Sequence, residues 1–103
     1  MIRITFEKRK ENYVMLYVRG HANSADAGQD LICAAVSAIS IGLCNAFSEM
    51  LAINTIAVDE DAITIRINRP NKKTNTMMEM AYHQLQTVAE GRRKFVKIEI
   101  MEE

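Results

Sequence analysis

The sequence predicts an α+β fold, a single-domain layered α/β sandwich over residues 1–103 in the order ββαββαβ, with two helices packed on a mainly antiparallel sheet. Three observations lead there. Short segments alternate apolar and polar residues with the period of a strand, and two longer segments space their apolar residues as helices do. Between them lie only short turn-forming stretches, with no internal repeat and no low-complexity tract.

In the first strand, Ile2, Ile4 and Phe6 share one face and Arg3, Thr5 and Glu7 the other. Residues 9–12 read as a turn. Tyr13–Arg19 is a second strand with Val14, Leu16 and Val18 against Tyr13, Met15 and Tyr17. A strand apolar on both faces is expected to be central and covered on both sides. Gly20–Gln29 is small and polar, with two glycines, and reads as a loop. Leu31 to about Leu51 forms the first helix, apolar nearly all round, which predicts burial on most sides.

Residues 54–58 give a short third strand, and Asp59-Glu60-Asp61 a tight acidic turn. Ile63, Ile65 and Ile67 alternate with Thr64, Arg66 and Asn68 in a fourth strand that closes a hairpin. Arg69–Asn75 reads as a connection. Thr76 with Glu79 fits a capping box that opens the second helix. Met78, Ala81, Leu85 and Val88 follow at helical spacing, and Gly91 stops it. Phe95–Met101 is the last strand, with Val96, Ile98 and Ile100 on one face.

Composition narrows the functional classes. Hydrophobic residues make up 49% and charged residues 25%, which excludes a disordered or fibrous chain. The formal net charge is zero, so bulk charge does not point to nucleic acid, and direct nucleic-acid binding is not expected. A chain this short leaves little room for a deep enclosed site. A shallow cleft is expected, finished by a mobile loop or a second subunit.

The start of the chain alternates like a strand rather than a secretory signal. The apolar run Leu31–Ile53 contains Ser37, Ser40, Asn45, Ser48 and Glu49, so no membrane association is expected. Cys33 and Cys44 on one helix lie about 16 Å apart along its axis. A disulfide needs Cα atoms within about 7 Å, which excludes an internal bridge. Unbridged thiols without an export signal predict a cytoplasmic protein.

The stretch from Gly20 to Cys33 carries the chemistry. His21 follows the second strand and Cys33 falls in the first turns of the next helix, so a loop that doubles back would bring imidazole and thiol together. The thiolate is the nucleophile in cysteine chemistry. A neighbouring histidine can take its proton and later protonate a leaving amine. Unpaired N–H groups at a helix start favour thiolate and can hold an oxyanion.

Two registers remain open. With Asp30 as N-cap, Cys33 is the third helical residue; with Asp26 and Gln29 as a capping box, it lies a turn further in. Asp30 can orient His21, but a carboxylate against Cys33 would oppose its ionisation. Cys44 reads as core and His83 as surface. His21, Asp30 and Cys33 form no familiar zinc spacing, so neither metal nor cofactor is expected.

Gly20-His21-Ala22, then Gly28 and Asp30, then Cys33-Ala34-Ala35-Val36-Ser37 resemble the ribosomal-processing cysteine protease family, Prp, over the whole chain. The resemblance implies Cys33 as nucleophile and His21 as general base and acid, with Asp30, Ser37 and Gly20 in supporting or substrate-binding places. It also implies a cysteine endopeptidase that removes a short N-terminal extension, ending in paired bulky apolar residues, from a large-subunit ribosomal protein, the twenty-seventh by ribosomal naming. The expected partners are that precursor and a second copy in a homodimer, with a mobile loop over the site. The alternative is a non-catalytic ribosome-associated dimer that binds RNA or protein. In that reading Arg69, Lys72, Lys73, Arg92, Arg93 and Lys94 meet rRNA phosphates.

Overall fold

Alternation in the strands is realised as one buried face. Ile2, Ile4, Phe6, Leu16, Ile63 and Ile65 are buried, while Arg3, Arg19 and Arg66 between them are exposed. The computed structural model describes residues 1–20 and 30–103. Over these the chain forms β1 (Ile2–Arg9), β2 (Asn12–Arg19), α1 (Leu31–Leu51), β3 (Ile56–Val58), β4 (Ala62–Arg66), α2 (Lys72–Ala89) and β5 (Val96–Glu102). The order ββαββαβ is the expected one.

The five strands form one sheet in the order β3-β4-β2-β1-β5. β2 pairs antiparallel with β1 and β4, β3 pairs antiparallel with β4, and β5 lies parallel to β1. The β1–β2 hairpin turns through Lys10 and Glu11, both at positive φ (51° and 69°), as a two-residue turn matched to strand twist requires.

β2 is central, as expected, but it is not covered on both sides. The two helices lie on one face of the sheet. Among the described residues the opposite face, which carries Thr5, Met15, Tyr17 and Thr64, has no buried member. The core face of β2 also differs from simple alternation. The register shifts between Glu7 and Lys8, so that Met15 faces Glu7 and Tyr13 faces Lys8, which leaves Val14 as the extra residue of a bulge. Tyr13 therefore turns into the core and meets Phe6 edge-on, with ring centroids 5.9 Å apart. Tyr82 of α2 meets Phe6 in the same way at 5.4 Å.

α1 spans the expected residues, but it is buried along one stripe only, Val36, Ser40, Leu43, Cys44 and Phe47. Sheet and α2 cover that stripe. Ala34, Ala38, Ile41, Gly42 and Met50 are exposed, with nothing among the described residues covering them, so burial on most sides does not hold. By length and composition alone α1 would pass for a membrane span.

α2 is capped five residues earlier than expected, at Asn71 rather than Thr76. The box is Asn71 with Thr74: the Asn71 side chain accepts the Thr74 N–H at 3.0 Å, and the Thr74 hydroxyl accepts the Asn71 N–H at 2.9 Å. Thr76 instead lies within the helix and returns its hydroxyl to the Lys72 carbonyl at 2.8 Å. Gly91, at φ 73°, follows the last turn as expected. The cap here also engages Arg92, which donates to the carbonyls of Val88 and Glu90 at 3.2 Å.

Candidate active site

Three segments meet at the start of α1: the end of β2, the first helical turn, and the β3–β4 turn. β2 ends at Arg19 and is followed by Gly20, whose φ of 96° is a conformation side chains rarely adopt. Its N–H donates to the Asp61 carbonyl at 3.2 Å, which ties the residue before His21 to the β3–β4 turn. That turn is held in its own right, since Asp59 Oδ1 accepts the Ala62 N–H at 3.1 Å.

The helix register is settled by Asp30, which is the N-cap. Its Oδ1 accepts the N–H of Ile32 at 3.1 Å and of Cys33 at 3.0 Å. Its carbonyl accepts the N–H of Ala34 at 3.1 Å, the first bond of the helix. Cys33 is thus the third helical residue, within the turn where the terminal dipole favours negative charge. The Cys33 thiol donates to Asp30 Oδ2 at 3.2 Å. This bond favours the protonated sulfur, so dipole and carboxylate pull in opposite directions. Two N–H groups expected to be open to an oxyanion are engaged by the Asp30 side chain.

Cys33 is half-buried and opens on a cleft of about 180 Å³. Ser37, one turn on, lines the same cleft, as does Gly20. The apolar lining comes from Ile2, Val18, Val36 and Ile63, and the rim from Asp59, Glu60 and Asp61. Of the expected site residues, the structure therefore brings together Cys33, Asp30, Ser37 and Gly20. His21 lies outside the described residues.

The acidic rim was not foreseen as part of the site. Its signal in the sequence was three consecutive carboxylates, which read equally well as a solvated turn. Only the pairing of β4 beside β2 carries that turn to the head of α1.

The second cysteine is different in kind. Cys44 is buried, and burial pushes its thiol up from its ordinary range. Neither cysteine is in a disulfide. His83 is exposed, as expected, and lines a separate groove of about 780 Å³ between α2 and β5 that shares no residue with the cleft. Among the described residues no three His, Cys, Asp or Glu side chains are grouped to hold a metal ion.

Comparison with known proteins places the chain in a family. The family model for cysteine protease Prp matches residues 1–97. The chain is 35% identical over 103 residues to the ribosomal processing cysteine protease Prp of Mycoplasma pneumoniae, covering 96% of this chain and 94% of that one. A crystal structure from Streptococcus mutans superposes with a TM-score of 0.80 at 30% identity, covering 100% of this chain and 96% of that one. The Staphylococcus aureus ribosomal processing protease Prp, solved with a covalently linked product peptide, superposes with a TM-score of 0.84. There the identity is 22%, with 97% of this chain and 99% of that chain covered, a likeness that shows the shared fold. The chain belongs to the Prp family of ribosomal-processing cysteine proteases.

Proposed function

We propose that this cysteine protease removes the N-terminal extension of a large-subunit ribosomal protein precursor, the twenty-seventh, with Cys33 as nucleophile and His21 as general base and acid. The observation that carries the assignment is the place of Cys33: third residue of α1, half-buried, and opening on the cleft that Ser37 and Gly20 share. His21 takes the thiol proton, and the sulfur attacks the carbonyl carbon of the scissile bond. His21 then protonates the leaving amine, and water hydrolyses the thioester that remains. No step requires a metal or cofactor.

The cleft supports a bulky apolar residue before the cut. Its floor of Ile2, Val18, Val36 and Ile63 is apolar, and its volume of about 180 Å³ suits one aromatic side chain. A cavity of roughly 150 Å³ holds benzene. The protein acts in this reading as a cytoplasmic homodimer. Cysteines outside any disulfide fit a reducing compartment. The uncovered side of α1 fits a second copy: Ala38, Gly42 and Met50 line an apolar groove of about 430 Å³ with Met77 and Met80 of α2.

The test is cleavage of a peptide spanning the extension. Cys33→Ala and His21→Ala are each expected to abolish cleavage while leaving the thermal unfolding transition in place. Wild-type turnover by Cys33→Ala would overturn the assignment.

A further inference from the structure

We propose that Asp30 is a positioning residue that restrains the nucleophile, one carboxylate holding both the Cys33 proton and the backbone donors at the head of α1. The inference rests on the reading of Cys33 as nucleophile and concerns how that site is kept at rest. Oδ1 takes the N–H groups of Ile32 and Cys33, at 3.1 and 3.0 Å. Oδ2 takes the thiol of Cys33 at 3.2 Å. The two oxygens of one side chain thus occupy the groups that attack on a carbonyl needs free, the sulfur and the donors beside it.

The surrounding charge acts in the same sense. α1 carries no Lys, Arg or His, so the helix brings no positive counter-charge of its own to a thiolate at Cys33. From the β3–β4 turn Asp59, Glu60 and Asp61 line the cleft. Every charged side chain from the described residues that lines this cleft is a carboxylate. A thiolate facing Asp30 Oδ2 would lose its hydrogen bond and gain a like charge. Transfer of the thiol proton to His21 therefore requires the Asp30 carboxylate to turn from the sulfur, which also releases the Ile32 and Cys33 N–H groups. A bound peptide whose carbonyl oxygen takes those donors would drive that turn.

The experiment separates restraint from capping. Asn caps a helix as well as Asp does, so Asp30→Asn keeps an oxygen for the two N–H groups and replaces the charged acceptor beside the sulfur with a neutral amide donor. Alkylation of Cys33 by iodoacetamide is followed against pH in the wild type, in Asp30→Asn and in Asp30→Ser, which also caps but is too short to reach the sulfur. Both variants are expected to label at lower pH, with a midpoint lowered by one unit or more, a rate gain of about tenfold below it. Unchanged profiles would show that Asp30 is only a cap, and profiles moved to higher pH would show that it activates the thiol; either overturns the proposal. Labelling needs no peptide, so its outcome stands apart from the Cys33→Ala cleavage test of the assigned substrate.

Discussion

The α-carbon of Gly20 lies so close to Met1 that a Cβ built on it would sit 2.5 Å from the Met1 carbonyl oxygen. A real Cβ does not tolerate that distance from a backbone atom, and the φ of 96° is itself nearly restricted to glycine. Gly20→Ala is expected to destabilise the fold by at least about 1–3 kcal/mol. Cleavage is expected to fall by more than stability alone accounts for, because the substitution moves the residue before His21 at the rim of the cleft. Urea unfolding alongside peptide cleavage checks both.

The start of α2 offers a direct contrast. Asn71→Ala removes the acceptor of the Thr74 N–H and is expected to cost about 1 kcal/mol. Glu79→Ala, at the capping position the sequence suggested, is expected to cost less than about 0.5 kcal/mol. Equal losses in chemical denaturation would contradict the Asn71 cap.

Stability should decline in alkali. Burial pushes both the Cys44 thiol and the Tyr13 phenol above their ordinary ranges. In the unfolded chain each gives up its proton at lower pH than in the folded one, so the unfolded state binds fewer protons as pH rises. Their contribution is complete below the unfolded values. It declines from about pH 8.5 for the thiol and about pH 10 for the phenol. Urea midpoints measured from neutral pH upward are expected to fall over that range, and Cys44→Ala to flatten the first part of the fall.

Association is read most cleanly at Gly42. Nothing lies within 4 Å of a Cβ built there, so Gly42→Glu has room in a single chain. Replacing glycine in a helix interior also favours folding. If the uncovered side of α1 joins two copies, sedimentation velocity is expected to show a dimer for the wild type and a monomer for Gly42→Glu that still unfolds cooperatively, less only the stability that association contributes. A variant that still sediments with the wild type would place the interface elsewhere.

Period was the legible part of this fold. Ile2, Ile4 and Phe6 alternate, Met78, Ala81 and Leu85 recur at helical spacing, and these local rhythms suffice for the seven elements and their order. The motif around Cys33 was equally legible, because its residues are close in the chain. The sequence offers Asp30 as one of two caps, but the choice between two registers depends on which oxygen reaches which N–H, and that is a matter of backbone geometry. Tyr13 replaces Val14 in the core because a bulge moves the count by one, and a bulge arises from strand pairing rather than from composition. Burial along α1 departs from the sequence expectation for a related reason: apolar residues on every side show what a helix is able to bury, while its neighbours settle what it does bury. The acidic turn at 59–61 reaches Cys33 only because β4 pairs with β2, a contact between distant parts of the chain. Local backbone and side-chain chemistry writes its pattern into neighbouring residues. Contacts between remote segments leave no such trace until the chain closes on itself.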